Sequence, residues 1–191
     1  MMTRKKIGIF GGTFDPVHYA HLILAREARE ELGLEQLIFV PAAASPHKGS
    51  PAASAELRLS MLRAAIEGET AFAVDESELR RGPPSYTIDT VEEIQQREAG
   101  SEIFYLIGED NVTALASWHC FERLQKMVRF IVLDRTGAQA NHPYEVIHRK
   151  IDISATDIRN RIASGRSIHY LVPPKVEETI RRNNLYREPV K

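Results

Sequence analysis

The stretch Gly8-Ile9-Phe10-Gly11-Gly12-Thr13-Phe14-Asp15-Pro16-Val17-His18-Tyr19-Ala20-His21 decides the fold. A short apolar run leads into two glycines, an Asp-Pro turn and an amphipathic segment, which predicts a buried strand, a loop and a helix over 19–32. Glycines let a ligand approach the backbone, and a helix start offers unpaired N–H groups to an anion. Because His18 and His21 lie three residues apart, they share one helix face. The stretch therefore predicts an anion site.

The rest of the chain alternates between strand and helix patterns. Compact apolar runs predict strands buried on both faces of a parallel sheet, at 7–10, 37–40, 71–74, 103–107 and 128–133. Helical spacing predicts helices at 55–66, at 88–97, from about 154, and from Pro173-Pro174 to about Asn183. Alternating residues over 147–153 predict a half-buried strand.

This order predicts an α/β fold with a doubly wound, Rossmann-like and mostly parallel sheet, helices on both faces, and ligands at the carboxyl ends of the strands. With no repeat or linker, residues 1–191 are expected to form one domain whose C-terminal helical part spans about 154–187.

Composition limits the class of partner. The 191 residues include 25 Lys+Arg against 26 Asp+Glu, a formal net charge of −1, which disfavours a nucleic-acid or membrane-surface binder. The longest uncharged apolar stretch, 37–44, is far shorter than the roughly 18 residues of a membrane span. Cys120 is the only cysteine, so an internal disulfide is impossible and a cytoplasmic protein without a signal peptide is expected.

Other readings of the first motif fit less well. The metalloprotease pattern places two histidines four apart with a glutamate between them, whereas Tyr19-Ala20 separates His18 from His21. The glycines form neither a P-loop nor a GxGxxG fingerprint. A second motif, Ile153-Ser154-Ala155-Thr156-Asp157-Ile158-Arg159, predicts a capped helix start followed by an arginine, whose permanent N–H donors suit phosphate.

Together the two motifs resemble the GGTFDPxHxGH and ISSTxIR segments of nucleotidyltransferases related to class I aminoacyl-tRNA synthetases. Ala20 and Ala155 stand where that family usually has Gly and Ser. Residues 108–110 resemble the family's GxD segment, and 135–137 its RPG turn with Thr136 in place of Pro. The resemblance implies ATP-binding residues at Gly11, Gly12, Thr13, Phe14, His18, His21, Gly108, Asp110, Arg135, Ile153, Ser154, Thr156 and Arg159.

Three further segments resemble those of nicotinate-mononucleotide adenylyltransferases. Residues 39–48 resemble FxPxxxPHK, 84–87 match PSYT, and Trp118 with Glu122 and Leu124 resembles WxxxxEL. The start of the helix after Thr87 suits a carboxylate such as that of nicotinate, and an indole can stack on a pyridinium ring. The resemblance implies nicotinate mononucleotide (NaMN) contacts at Gly12, Thr13, Lys48, Ser85, Tyr86, Thr87 and Trp118. Residues 136–144 are shorter than usual for the family.

The expected reaction is transfer of the adenylyl group of ATP to NaMN, giving deamido-NAD and pyrophosphate. His18, His21, Lys48 and Arg159 are the expected catalytic residues, and with His47 they predict a locally positive pocket. Mg²⁺ is expected to arrive with ATP, without a dedicated protein cage. The alternatives are another acceptor, NMN or phosphopantetheine, or a non-catalytic nucleotide sensor. A homo-oligomer stays possible.

Overall fold

The structure is a computed structural model that describes residues 4–43, 51–137 and 142–187. Its strands are β1 (Lys6–Gly12), β2 (Gln36–Pro41), β3 (Phe72–Val74), β4 (Glu102–Gly108), β5 (Arg129–Asp134) and β6 (Glu145–His148). They form one six-stranded sheet in the order β3-β2-β1-β4-β5-β6. Every neighbouring pair is parallel.

Helices cover both faces of this sheet. They are α1 (Tyr19–Leu32), α2 (Ala55–Ala65), α3 (Ser77–Arg81), α4 (Thr87–Arg97), α5 (Phe121–Met127), α6 (Ala155–Ala163) and α7 (Pro174–Arg182), with a 3₁₀ helix at Glu109–Ser117. Buried residues of α1, α2, α6 and α7 form one core with the sheet, and those of α4 and α5 form a second core on the opposite face. The predicted doubly wound α/β fold is confirmed.

Helix α1 shows how local sequence sets these elements. Leu24, Ala28 and Leu32 are buried at helical spacing, so one stripe faces the sheet. Gly33 ends the helix in the left-handed region at φ 64°, where a side chain would be strained, and its N–H donates to the Arg29 carbonyl. The helix therefore begins immediately after His18 and has the predicted length.

The topology places a crevice beside β1. Strands β2 and β3 lie on one side of β1, and strands β4 to β6 lie on the other. The direction in which the chain adds strands to the sheet therefore reverses between β1 and β4. Ligands of doubly wound proteins bind at such a switch point, outside the carboxyl ends of the strands. Gly12 and Gly108 end the two strands that meet there.

The predicted strand over 147–153 is wrong in position. Strand β6 ends at His148, because its partner β5 ends at Asp134 and offers no further ladder. The chain beyond it continues through single bonds from the N–H of Arg149 to Asp134 and of Ile151 to Arg135. The short helices α3 and α5 were not predicted, because five to seven residues give too little periodicity.

The C-terminal helices pack onto the same sheet. Ile158 of α6 and Val176 and Ile180 of α7 belong to the core that β1 and α1 share. The single-domain assignment of residues 1–191 stays a prediction. None of the helices that the structure describes is long and apolar enough to cross a membrane.

Candidate active site

The site lies at the carboxyl ends of β1 and β4 and is bordered by two connecting segments. We call residues 11–18 the glycine loop and residues 82–87 the proline turn. The glycine loop joins β1 to α1, and the proline turn joins α3 to α4. Both connections contain residues predicted from the sequence to bind substrate.

Close approach explains why β1 ends in two glycines. A Cβ on Gly11 would lie 2.4 Å from the hydroxyl of Tyr105, and a Cβ on Gly12 would lie 2.9 Å from the Phe14 ring. Phe14 has φ 50°, so the loop turns sharply after Thr13. A larger residue at Gly11 would displace the Tyr105 side chain or move the loop.

His18 and His21 lie together at the start of α1, as predicted. Their rings stack with centroids 3.7 Å apart and an interplanar angle of 23°. The backbone N–H of His18 donates to Nδ1 of His21 at 3.3 Å, so a neutral His21 has its proton on Nε2. Both rings therefore belong to one rigid group at a helix N-terminus.

His18 is a neutral ring in this structure. It is only 2% exposed, and burial, followed by the nearby Arg135 charge, lowers its pKa to about 3 from 6.5. The prediction that His18 supplies positive charge is therefore wrong. Its Nδ1 is buried and has no hydrogen-bond partner among the described residues, which is costly unless a ligand supplies one. His18 can offer an N–H donor to an anion at neutral pH.

Arg159 joins the two phosphate motifs. Its Nη1 donates to the Asp15 carbonyl at 2.7 Å across 144 residues of sequence, and its Nη2 donates to Thr156 Oγ1 at 3.3 Å. Ser154 caps α6 by accepting from the Asp157 N–H at 3.1 Å, as the motif predicts. The N-terminus of α6 therefore lies beside the glycine loop.

Asp15 is a buried acceptor of several hydrogen bonds, and no role was predicted for it from the sequence. Its carboxylate accepts from the N–H groups of Ala52 and Ala53 at 2.7 and 3.2 Å and from the Tyr186 hydroxyl at 2.6 Å. Burial and this carboxylate raise the pKa of Tyr186, so its hydroxyl keeps its proton. Asp15 thus ties the glycine loop to residues near both α2 and the C-terminal end of the described chain.

Arg58 is a second unassigned support. It is buried in α2 and donates from Nη1 to the Thr13 carbonyl at 2.8 Å. Burial lowers its pKa, whereas the charge of Asp15 raises it. Its spacing from Met61 and Leu62 puts it on the buried stripe of α2, and this placement was a signal that the sequence carried.

The residues predicted to bind the acceptor lie around Tyr105. The Tyr105 hydroxyl lies beside the side chain of Thr87, the first residue of α4. The Trp118 ring packs edge-on against the Tyr105 ring, with ring centroids 5.9 Å apart. Trp118 is half-buried. Since the same hydroxyl limits the size of residue 11, Tyr105 links the glycine loop to the proline turn. Because Tyr105 lies within the apolar run 103–107, the sequence predicts only a buried strand residue there.

Tyr86 and Ser85 complete the proline turn. Tyr86 is 39% exposed, and its ring stacks on His119 with centroids 4.2 Å apart and an angle of 26°. Ser85 Oγ accepts from Arg81 Nη1 at 2.6 Å. An open aromatic pair therefore borders Thr87 and the N-terminus of α4.

The remaining predicted residues lie farther along the strand ends. A Cβ on Gly108 would come within 2.7 Å of Asp110 Oδ1, so a larger residue there would displace the Asp110 side chain. Arg135 donates from Nη1 to the Ile153 carbonyl at 2.8 Å, which places it beside the start of α6. The predicted His47 and Lys48 lie outside the described residues.

Comparison with known proteins identifies the family. The cytidylyltransferase-like family model matches residues 9–161. A probable nicotinate-nucleotide adenylyltransferase of Exiguobacterium sibiricum is 42% identical over 95% of this chain and 98% of its own length. One from Bacillus pumilus is 40% identical over 95% of this chain and 98% of its own length.

Solved structures agree in fold. Plasmodium falciparum nicotinic acid mononucleotide adenylyltransferase complexed with NaAD has a TM-score of 0.81 at 20% identity, covering 98% of this chain and 100% of that one. The structure of the same protein complexed with APC has a TM-score of 0.77 at 20% identity, with the same coverage. At this identity the likeness concerns the fold alone.

Proposed function

We propose that this chain, which belongs to the cytidylyltransferase-like family and within it to the nicotinate-nucleotide adenylyltransferases, transfers the adenylyl group of ATP to NaMN in NAD biosynthesis. A phosphate oxygen of NaMN attacks the α-phosphorus of ATP as the bond from that phosphorus to the bridging oxygen breaks. The products are deamido-NAD and pyrophosphate. The observation that carries the proposal is the Arg159–Asp15 bond, which brings the two phosphate motifs to one place.

Catalysis rests on positioning and on donors for the leaving charge, without a protein nucleophile. His18 and His21 present N–H groups to the phosphates around the α-position as the pyrophosphate departs. A neutral imidazole suits this task, because it stabilises growing negative charge without needing a charged group in a buried place. The lowered pKa of His18 supports that role.

The β- and γ-phosphates are assigned to the N-terminus of α6. Ser154 and Thr156 lie at this helix start, where backbone N–H groups and the positive end of the helix dipole attract anions. Arg159 adds permanent charge next to them and also holds Asp15. Lys48 is proposed to support the bridging oxygen, and Gly108, Asp110 and Arg135 to contact the rest of ATP.

The nicotinate end of the acceptor is assigned to the proline turn. Ser85, Tyr86 and Thr87 precede or begin α4, so backbone N–H groups of the first helical turn can receive a carboxylate. Trp118 offers a flat apolar surface for the pyridine ring. An amide cannot replace a carboxylate in a site built for negative charge, which favours NaMN over NMN.

Mg²⁺ is proposed to enter as part of the MgATP substrate. Within residues 4–43, 51–137 and 142–187, no group of three His, Cys, Asp or Glu side chains is arranged to hold a metal ion. Binding through phosphate and water would be in keeping with the ordinary behaviour of this ion. A cytoplasmic location stays a prediction from the single cysteine.

An acceptor panel tests the function. Purified protein with MgATP is mixed with NaMN, NMN or phosphopantetheine, and pyrophosphate release is measured. We expect release with NaMN at the highest kcat/KM, and a loss of about 100-fold in kcat for His18→Ala. His169→Ala, which removes an exposed histidine near α7, is the matched control and should leave the rate unchanged. Wild-type release no faster than that of His18→Ala would refute the function, and a faster rate with another acceptor would reassign it.

A further inference from the structure

A buried carboxylate next to the proline turn has no part in the reaction as described so far. Glu78 in α3 is 8% exposed, although an ionised glutamate is rarely buried without partners. It lies four residues before Gly82, where the proline turn begins. Burial raises the pKa of this carboxyl, so the fold bears a cost to keep the group at this position.

The contacts of Glu78 reach the elements that form the acceptor side. Its Oε1 accepts from the Thr90 hydroxyl at 3.3 Å, and Thr90 is buried in the first turns of α4. The carboxylate also accepts a hydrogen bond from the backbone N–H of Ala43, which follows the end of β2. One side chain therefore links α3, α4 and the exit of β2.

Arg81 extends this network to the turn itself. Its Nη1 donates to Ser85 Oγ at 2.6 Å and to Thr90 Oγ1 at 3.4 Å, while its Nη2 pairs with Glu93 at 2.5 Å. The Thr90 hydroxyl thus receives one hydrogen bond from Arg81 and donates another to Glu78. This arrangement leaves the hydroxyl a single orientation and joins Glu78 to Ser85 through two intermediates.

The charge of Glu78 has a second effect. Arg81 pairs with Glu93 and also feels the charge of Glu78, so its guanidinium is held on protein partners. Without Glu78, Arg81 would be freer to pair with the acceptor's carboxylate in a different geometry. Burial, followed by the charge of Glu78, raises the pKa of the Tyr105 phenol, whose hydroxyl lies beside Thr87.

We propose that Glu78 is a positioning residue for the acceptor: through Thr90 and Arg81 it fixes the proline turn so that Ser85, Tyr86 and Thr87 receive the carboxylate end of a pyridine nucleotide. The inference deepens the proposed function and rests on it. It predicts that Glu78 affects binding of the acceptor and leaves binding of ATP almost unchanged.

The test compares KM for NaMN with KM for ATP in Glu78→Gln, Thr90→Val and Thr90→Ser. Gln keeps the shape of Glu78 but removes its charge, and Val removes only the hydroxyl of Thr90. We expect Glu78→Gln and Thr90→Val to raise KM for NaMN about tenfold, KM for ATP to stay within about twofold, and Thr90→Ser to restore the wild-type value. Glu98→Gln is the matched control, because Glu98 caps the far end of α4 and pairs with Lys5.

A binding measurement without turnover separates this inference from the function. Trp118 is the only tryptophan and contacts Tyr105, so its fluorescence reports acceptor binding. Weaker NaMN binding in Glu78→Gln, with wild-type ATP binding, supports the inference whatever the turnover. Wild-type protein that binds NaMN but releases no pyrophosphate would instead refute the proposed function alone.

The pH dependence gives a readout that a purely structural role would not move. Among residues 4–43, 51–137 and 142–187, the charged or titratable groups facing Glu78 are Arg81 on its own helix, Asp75 before it, and Tyr105 on β4. Protonation of Glu78 should weaken NaMN binding, so the ratio of KM for NaMN between Glu78→Gln and wild type should fall towards one as the pH is lowered.

Three results would overturn the inference. They are equal changes in KM for NaMN and ATP, no change in either, and the same effect from Glu98→Gln. If Glu78→Gln fails to fold, the Thr90→Val and Thr90→Ser pair decides, because a threonine-to-serine change keeps the hydroxyl. Equal NaMN binding by these two variants would then reject the proposal.

Discussion

The glycine loop and the proline turn border the same site but are held in different ways. The glycine loop is fixed by buried groups from distant parts of the chain: Arg58 on Thr13, Arg159 on the Asp15 carbonyl, and Tyr186 on the Asp15 carboxylate. The proline turn is fixed by Glu78, Arg81 and Thr90, all within 12 residues of one another. The position of the glycine loop therefore depends on distant parts of the fold, whereas that of the proline turn depends on residues close to it in sequence.

This difference separates stability from specificity. A change at a support of the glycine loop should lower both the free energy of unfolding and the rate, because the same contacts hold the core and the phosphate site. A change at a support of the proline turn should alter the acceptor's KM and leave the fold and ATP binding nearly intact. The site is therefore built from a rigid part for the shared nucleotide and an adjustable part for the acceptor.

The largest expected effect is at Asp15. Asp15→Ala removes the acceptor of three hydrogen bonds and a negative charge that raises the pKa of Arg58. Leaving these donors without their charged acceptor costs about 1–3 kcal/mol each in the free energy of unfolding. Urea unfolding followed by circular dichroism measures it, with Asp152→Ala, an exposed carboxylate, as the control. A loss no larger than that of the control would show that the glycine loop is not tied to the fold.

The next effect depends on pH and concerns His18. Because its pKa is about 3 in the folded state and 6.5 ordinarily, the unfolded state binds more protons between these values. The stability that comes from keeping His18 neutral is complete above pH 6.5 and is lost as the pH falls towards 3. Relative to His18→Gln, the wild-type free energy of unfolding should fall by about 1.4 kcal/mol per pH unit between pH 6 and 4.

Unfolding curves of the two proteins at matched pH values give this slope directly. A constant difference between wild type and His18→Gln would mean that His18 has the same pKa in the folded and unfolded states, contrary to the lowered pKa described above.

The smallest effect is expected at Tyr186. Tyr186→Phe removes one hydrogen bond to Asp15, which still accepts from Ala52 and Ala53. A bond to a charged acceptor contributes about 2 kcal/mol, so the free energy of unfolding should fall by that amount. Tyr170→Phe is a matched control, since Tyr170 is 80% exposed and should change by less than about 0.5 kcal/mol. An equal change in the free energy of unfolding for both variants would show that the contact between Tyr186 and Asp15 does not stabilise the fold.

The fold was largely readable from the sequence because buried parallel strands are continuous apolar runs. Five such runs correspond to β1 to β5, and the long helices α1, α2 and α4 follow from helical spacing. The edge strand β6 was misplaced, because its position depends on where β5 ends and not on its own pattern. Alternation in 147–153 therefore described a chain that continues past β6 with only single hydrogen bonds to Asp134 and Arg135.

The site was readable only in part. Motif residues such as His18, His21 and Arg159 lie where the pattern indicated, yet the neutral state of His18 follows from burial that no local sequence encodes. Glu78, Tyr105 and Tyr186 act through contacts with distant or buried partners, so nothing in their own neighbourhood marked them. Arg58 is the exception, because its position on the buried stripe of α2 was visible.

The central claim is that the chain positions ATP and NaMN for one direct displacement. The most direct test supplies ATP with a chiral α-phosphorothioate together with NaMN and determines the configuration at phosphorus in the product. In-line attack by the NaMN phosphate predicts the phosphorothioate analogue of deamido-NAD with inverted configuration. Retained configuration would mean two displacements through a covalent protein intermediate and would contradict the account.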